Sequence, residues 1–411
     1  MKAMPYIFAA LTAPMLASCG TRAESADCPR HRLAVLDPGH FHAALVQKSP
    51  LANVCDSVTV FAPQGEGLDQ YLAYVDSYNS RDDNPTSWVV DTVTSPDYLA
   101  RLAADKSSDI VVLAGDNSNK TRYIATAVHA GKNVLADKPM AIDGAGFEML
   151  RDAYAEAEKS GVLIYELMTE RYDTLNIVTR QILADTATFG SLVDVSMTST
   201  HHFYKEVSGK PLTRPAWYYD VNRQGEGIAD VTTHLIDLVM WQCFPDQSIE
   251  ISDTEVVDAK HWPTTITPEQ FRQSTGAVID APIDVMCNGY IDARVKGVPM
   301  RFEVQWNFVA PQGSGDTFTA TYRGTKGTVR VVQDASTGFV KELYIDDNHG
   351  NTQHIEIPVA ERLGHEDHFN RVTSAFLAYL DGKSVPAWER ANTIAKYHIT
   401  TSAVEKSRLK E

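Results

Sequence analysis

The chain has 411 residues, 44% of them hydrophobic and 22% charged, with a formal net charge of −16. That length exceeds one typical core and predicts two domains, and the hydrophobic share is that of an ordinary folded protein. The acidity, with no basic stripe anywhere along the chain, excludes a nucleic-acid partner.

In chain order, residues 1–19 come first: one charge, an apolar run, then Leu16-Ala17-Ser18-Cys19. This is the pattern of a secretory signal, too short for a permanent membrane span. Leu16–Cys19 resembles a bacterial lipobox, which implies cleavage before Cys19 and a lipid on its sulfur. Residues 1–18 are therefore expected to be a signal peptide and 19–30 a polar tether. The expected location is the bacterial cell envelope, touching the membrane only through the anchor at Cys19. An ordinary signal peptide with a stray cysteine is the alternative. Cys28, Cys55, Cys243 and Cys287 match no zinc or redox spacing. Cys28 and Cys55 flank the first strand–helix unit and could pair in an exported protein; free thiols are the plain alternative.

Residues 31–37 form a short apolar strand, followed by Pro38-Gly39-His40 and a helical run from Phe41 to Lys48. Strand runs follow at Ser57–Ala62, Asp109–Ala114, Asn133–Ala136 and Val162–Tyr165. Helices are predicted from Thr121 to Ala130 and from Ala141 to Ser160, stopped by Gly131 and Gly161. The alternation predicts an α/β domain over residues 31–165, a Rossmann-like doubly wound parallel sheet with its ligand crevice at the carboxyl ends of the strands. Beyond residue 166 the period changes to two in Ser191–Thr198, Met286–Asp292, Met300–Asn307, Thr317–Tyr322 and Thr328–Val332. Helices are predicted at Asp173–Ala184, Ala229–Trp241, His365–Leu380 and Arg390–Lys406. Residues 166–411 thus read as an α+β domain with a large, open, mostly antiparallel sheet and one wet face, for substrate binding and oligomerisation. Its C-terminal helices have the option of packing back on the first domain.

Asp37-Pro38-Gly39-His40-Phe41-His42 occupies the place of a Gly-x-Gly-x-x-Gly turn, with Asp37 and His42 where the outer glycines would stand. A strand, a glycine turn and a helix start still offer a pyrophosphate cradle, which makes Pro38, Gly39, His40 and Phe41 candidate cofactor residues. A plain strand-to-helix turn is the alternative. Phe61-Ala62-Pro63 stands where a ribose-binding acid is expected, and Glu66 is the nearest carboxylate, so NAD and NADP both remain open. Gly115, Asp116, Asn117 and Asn119 are candidates for the ribose and nicotinamide, or simple turn formers.

Lys138 precedes Pro139, which keeps it out of the α region and can aim it into the crevice. Beside a nicotinamide cation its pKa would fall, and it could serve as a base. Asp230 and His234 are four apart and share a helix face. His234 can exchange a hydroxyl proton while Asp230 orients substrate or lysine. Asp237 would hold that histidine or face solvent, and Gly225 and Gly227 would let a ligand approach the backbone. Glu166 is read as lying near the cofactor, with Arg171 and Tyr172 as substrate or ribose contacts. His201 and His202 point to opposite faces of a strand, so no metal site is expected, though one of them could reach a sugar. Trp217 and Tyr218 offer aromatic surface for sugar stacking.

These residues resemble the glucose–fructose oxidoreductase, inositol dehydrogenase and rhizopine catabolism family (Gfo/Idh/MocA), over about residues 31 to 405. Asp137-Lys138-Pro139 is similar to the family's Glu-Lys-Pro motif. Gly225-Glu226-Gly227-Ile228-Ala229-Asp230, followed by His234, is similar to its Gly-Gly-x-x-x-Asp-x-x-x-His motif, with Glu226 in a glycine's place. The resemblance implies catalysis by Lys138, Asp230 and His234, an NAD or NADP cofactor touched by Asp137 and Lys138, and a homo-oligomer. With the lipobox, the chain looks like an exported Bacteroidota branch acting on glycosides. There, oxidation of a sugar hydroxyl, often at C3, acidifies the neighbouring C–H, and the aglycone leaves by elimination, in some cases on a separate enzyme. Outside the cytoplasm no ready NAD pool exists, so a tightly held, internally recycled cofactor is expected. Two rival readings are an NAD-dependent glycoside hydrolase that oxidises transiently, and a non-catalytic sugar-binding lipoprotein on a decayed scaffold.

Overall fold

The computed structural model describes residues 31–410 apart from 208–209, 313, 359–360 and 362–364. The expected signal peptide, the lipidated Cys19, the tether and Cys28 lie outside the described residues, and so therefore does the Cys28–Cys55 pairing. Among the described residues Cys55, Cys243 and Cys287 are free thiols.

The first domain runs β1 (Leu33–Leu36), α1 (His42–Leu45), β2 (Ser57–Phe61), α2 (Glu66–Ser80), β3 (Val89–Val93), α3 (Tyr98–Ala104), β4 (Ile110–Leu113), α4 (Asn117–His129), β5 (Asn133–Ala136), α5 (Gly144–Ser160) and β6 (Ile164–Glu166). The strands lie in the order β3-β2-β1-β4-β5-β6, all parallel. This is the doubly wound sheet the alternation predicts. β1 and β4 are apolar and buried throughout, because helices on both faces leave such strands no wet side. The chain leaves the sheet in opposite directions from β1 and β4, and a crevice opens at their carboxyl ends.

The second domain runs α6 (Thr174–Ala184), β7 (Leu192–Tyr204), β8 (Glu206–Val207), β9 (Lys210–Pro211), α7 (Val221–Gln224), α8 (Gly227–Cys243), β10 (Thr254–Ile266), α9 (Pro268–Thr275), β11 (Ile283–Val295), β12 (Val298–Val309), β13 (Thr317–Gly324), β14 (Gly327–Gln333), β15 (Glu342–Asp347), β16 (Thr352–Ile355), α10 (His365–Leu380) and α11 (Glu389–Arg408). Eight of these strands form one sheet, β10-β11-β12-β7-β13-β14-β15-β16, antiparallel except between β12 and β7. Val195 and Met197 of β7 and Met300, Phe302 and Val304 of β12 bury one face beneath α8. The alternate residues, such as Ser196, Thr198, Arg301 and Glu303, keep the other face wet, as expected.

The C-terminal helices join both domains. Phe369, Val372, Phe376 and Leu377 of α10 lie in one core with Leu33, Val35, Ile110 and Val112. Burial of each such side chain contributes about 1.5–3 kcal/mol. α11 is shared: Tyr397 packs with Ala136 and Met140, while Ala395, Ile399 and Ala403 pack in the core that holds α8. The two domains are therefore fixed against each other by one helix, and the crevice between them has a defined shape.

Candidate active site

At the end of β1, Asp37 takes a left-handed backbone conformation, φ +49°. Aspartate adopts this region more readily than most residues, so it meets the demand usually met by glycine. Its carboxylate accepts a hydrogen bond from the Tyr123 hydroxyl at 2.8 Å. The glycine this crevice requires lies in the neighbouring turn: a Cβ on Gly115 would sit 2.3 Å from the Asp37 carbonyl oxygen. His42, in the third glycine's place, is buried against Phe369 and donates from Nδ1 to Asp137 Oδ2 at 2.9 Å. His40, His42 and Asp137 bring three donor atoms within 4.8 Å of one another, a grouping that the His42–Asp137 bond accounts for. Burial opposes the Asp137 charge, but His42, then Lys120 and His40, outweigh it and hold the carboxyl ionised far below its usual range. Burial, then His42, push His40 well below the ordinary imidazole value, so it is neutral.

A cavity of about 270 Å³ lies between Gly39 and the start of α2 on one side and Trp217 and Arg223 on the other, with Glu66 at its wall. Trp217 therefore covers the Gly39 turn; a Cβ there would lie 3.5 Å from its ring. Arg223 donates to Asp116 at 2.7 Å, and Asp116 also caps α4 by accepting from the Ser118 amide at 2.9 Å. Asn117 is buried and faces Gln224, whereas Asn119 is half-buried and accepts from Arg122 on the outer turn of α4.

Lys138 leaves the end of β5 with a cis peptide to Pro139. Its Nζ donates to Asp230 Oδ1 at 2.5 Å, across the domain boundary, and the two side chains are 15% and 7% exposed. Gln224 donates to the other Asp230 oxygen at 2.9 Å. From Gly225 to Met240 every residue is buried except His234, which lies one turn beyond Asp230. Burial pulls the Lys138 amine down, but Asp230 and then Asp137 outweigh it, and its pKa lies above the ordinary lysine value. The protein's own carboxylates thus hold the proton on Lys138. Asp230 is likewise pulled below its ordinary range, burial opposing and Lys138 prevailing.

Several expected contacts fall elsewhere. The Arg171 guanidinium is buried and filled by Asp237, at 2.6 and 2.7 Å, and Glu389, at 2.8 Å, so it has no free edge for a substrate. Tyr172 pairs with the Tyr165 hydroxyl at 3.3 Å and packs with the first-domain core. Glu166 is 3% exposed and accepts from Lys396 and Tyr397, which places it behind the crevice and not against a ligand. Asp237 joins Arg171 to Lys396 at 2.9 Å instead of holding His234 or facing solvent. Gly225 and Gly227 are approached by protein: Cβ atoms there would meet Ile142 at 2.8 Å and the Cys287 carbonyl oxygen at 1.8 Å.

His201 stacks on Trp306, bonds Ser199 Oγ at 2.8 Å, and is acted on electrostatically by Lys138, so it belongs to the crevice. His202 is buried against Asp316 at 2.9 Å. Tyr218 is buried with its ring beneath the Arg214 guanidinium at 4.5 Å. Sequence reasoning missed Gln224, Arg223 and Lys120. It also counted Glu226 only as a lost glycine. That carboxylate is buried and accepts from His261 at 2.6 Å and Arg408 at 2.8 Å, fixing the start of α8 to β10 and α11.

The Gly227 contact carries a prediction. Gly227→Ala forces α8 off β11, costs about 1–3 kcal/mol or more, and separates Asp230 from Lys138. Thermal unfolding and turnover should both fall; unchanged values would contradict the tight approach.

Two family models match the chain. "Oxidoreductase family, NAD-binding Rossmann fold" matches residues 39–167, and "Putative oxidoreductase C terminal domain" matches 179–356 and 347–408. A crystal structure of a protein described as a putative oxidoreductase from Parabacteroides merdae ATCC 43184 superposes with TM-score 0.91 at 38% identity, covering 93% of this chain and 98% of that one. KijD10, a 3-ketoreductase from Actinomadura kijaniata in complex with NADP and TDP-benzene, shares the fold at TM-score 0.61 and 15% identity, covering 92% and 98%. Levoglucosan dehydrogenase in complex with NADH and levoglucosan does so at 0.65 and 16%, covering 93% and 98%. No curated protein matches the chain.

Proposed function

The chain belongs to the Gfo/Idh/MocA oxidoreductase family, and from that premise we propose that it interconverts a hydroxyl of a sugar or glycoside, at C3, with its ketone. The carrying observation is the Lys138–Asp230 pair at 2.5 Å, formed where the two domains meet, with His234 the one residue from Gly225 to Met240 that is not buried. Fold relatives described as a levoglucosan dehydrogenase in complex with levoglucosan and a 3-ketoreductase in complex with TDP-benzene support a sugar substrate.

The crevice fits a nicotinamide dinucleotide. The Gly39 and Gly115 turns meet backbone to backbone at the point where the strand order reverses. Arg223 offers a cation for phosphate and Glu66 a carboxylate for ribose hydroxyls. A carboxylate at that position disfavours a 2′-phosphate, so we assign NAD over NADP. Trp217, covering the Gly39 turn, supports a tightly held cofactor.

A bound nicotinamide would supply the hydride acceptor for the carbinol carbon. Lys138 takes the hydroxyl proton at Nζ, Asp230 holds that amine in place, and His234 hydrogen-bonds the reacting oxygen. In reduction the Lys138 ammonium returns the proton to the ketone oxygen. Because the Asp230 and Asp137 carboxylates raise the Lys138 pKa, oxidation requires removal of a tightly held proton. We therefore expect kcat/KM for oxidation to rise with pH through and above neutrality, and that for ketone reduction to stay level until the pH nears the Lys138 value and then fall. pH profiles in both directions test this; an oxidation rate that declines with rising pH contradicts the base assignment.

The lipobox at Cys19 supports an envelope location, with the cofactor recycled by a second substrate and a separate enzyme eliminating the aglycone. The open, polar face of the eight-stranded sheet is the surface we assign to homo-oligomer contact. Mass spectrometry of nucleotide released from the purified protein, followed by a glycoside panel watched for keto products, tests the whole reading. NAD and a keto sugar are expected. Protein without nucleotide sinks tight binding, and plain hydrolysis without a keto sugar sinks the oxidoreductase reading in favour of the hydrolase.

A further inference from the structure

Lys120 is a buried lysine that the reaction just described does not use. It is 2% exposed, and among the described residues no carboxylate lies within ion-pair distance of its amine. The other two most buried lysines do have such partners: Lys132 meets Asp105 at 3.1 Å, and Lys396 meets Asp237 and Glu166. A buried ammonium held only by neutral oxygens is costly, and such groups concentrate at functional sites.

The hydrogen bonds around it close into a ring. Lys120 Nζ donates to Asn117 Oδ1 at 2.5 Å and to the Lys138 carbonyl oxygen at 3.4 Å. Asn117 Nδ2 donates to the Gln224 carbonyl oxygen at 2.7 Å and to Gln224 Oε1 at 3.3 Å. Gln224 Nε2 donates to Asp230 Oδ2 at 2.9 Å, and Lys138 donates to Asp230 Oδ1 at 2.5 Å. The ring crosses from α4 and β5 of one domain to α7 and α8 of the other and back.

We propose that Lys120, Asn117 and Gln224 are positioning residues for the reaction: they fix both oxygens of Asp230 and the backbone of Lys138 across the domain boundary and place a second cation beside the Lys138 amine. The proposal rests on the assignment of Lys138 as the base. Asn117 and Gln224 orient the carboxylate. Lys120 acts through charge, since a cation beside an ammonium makes the latter easier to deprotonate. The charged and titratable groups facing Lys138 are Asp137 and His40 from the first domain's turns, Glu166 at the end of β6, Lys120 on α4, Asp230 on α8 and His201 on β7. The carboxylates hold its proton on; Lys120 is the neighbouring lysine that works against them. Burial lowers the Lys120 pKa to about 8, so Lys120 carries its charge near neutral pH and has lost it where Lys138 titrates.

The test needs no turnover. Competitive acetylation of Lys138 in the full-length protein over a pH series, read by peptide mass spectrometry, reports the pKa of that amine. In Lys120→Met the acetylation rate of Lys138 near pH 7, where Lys120 still carries its charge, should fall about tenfold, as an upward move of its pKa would make it, because a repelling cation is gone. Gln224 is only half-buried, so Gln224→Glu provides a second variant that keeps the core intact. It places a carboxylate beside Asp230 and should move the midpoint the same way. Gln224→Leu should lower kcat about tenfold by freeing one Asp230 oxygen, with nucleotide affinity unchanged. An unchanged Lys138 acetylation rate near pH 7 in Lys120→Met, together with an unmoved midpoint in Gln224→Glu, overturns the proposal. An absence of glycoside oxidation in the wild type would instead overturn the functional reading and leave the labelling result standing.

Discussion

Lys138→Arg abolishes glycoside oxidation, lowering kcat by about 10²–10⁴-fold, while the protein stays folded and keeps its nucleotide. Arginine can still donate to Asp230 from the position where Lys138 does so at 2.5 Å, so the bridge between the domains survives. It cannot release a proton in the working range, so the base does not. Lys138→Ala should lose as much activity and some stability too, because Asp230, 5% exposed, then lacks its cation. Nicotinamide absorbance measures the rate, and mass spectrometry of released nucleotide measures retention. Wild-type turnover in the arginine variant would show that Lys138 only holds Asp230.

Lys396→Met has the largest expected effect on stability. The amine is fully buried and holds Glu166 and Asp237 together, and Asp237 in turn pairs with Arg171. Removing one partner from such a network leaves an uncompensated buried charge and costs about 3–5 kcal/mol. The loss falls on the joint between the domains, because Glu166 ends β6 while Asp237 lies on α8. Urea unfolding followed by tryptophan fluorescence should show the lower stability. The double variant Lys396→Met with Glu166→Gln should recover part of it, since one buried negative charge goes with the positive one. A single variant as stable as the wild type would mean that the network contributes nothing net.

Arg171 and Glu166 are expected at a ligand, and Asp237 at His234 or solvent, for one shared reason. Polar residues near strand ends in a two-domain α/β chain read as site residues, and sequence does not show that Lys396 and Glu389, more than 150 residues later, return on α11 to bury them. The parallel sheet was legible because its strands are short apolar runs punctuated by Gly115, Gly131 and Gly161. β10 was not: Pro263 sits at a bulge on this edge strand and interrupts the alternation. β3 is likewise an edge strand with little buried surface. α2 carried a readable stripe in Leu68, Tyr71, Val75 and Tyr78. The lost glycines at 37 and 42 suggested a degraded nucleotide turn. In the fold Asp37 adopts the left-handed conformation itself, and His42 is used to tie Asp137. Lysine, aspartate and histidine were legible by type and spacing, whereas the residues that orient them, Gln224, Asn117 and Lys120, carry no local signature.

The central claim is that the lysine and aspartate meeting at the domain boundary remove a sugar hydroxyl proton while the hydride leaves for a nicotinamide. Incubating the protein with a glycoside deuterated at C3, and analysing both nucleotide and sugar by mass spectrometry, tests it most directly. The account predicts deuterium on the nicotinamide ring and a 3-keto sugar. Deuterium retained on the sugar carbon, with unlabelled nucleotide and simple hydrolysis products, would contradict it.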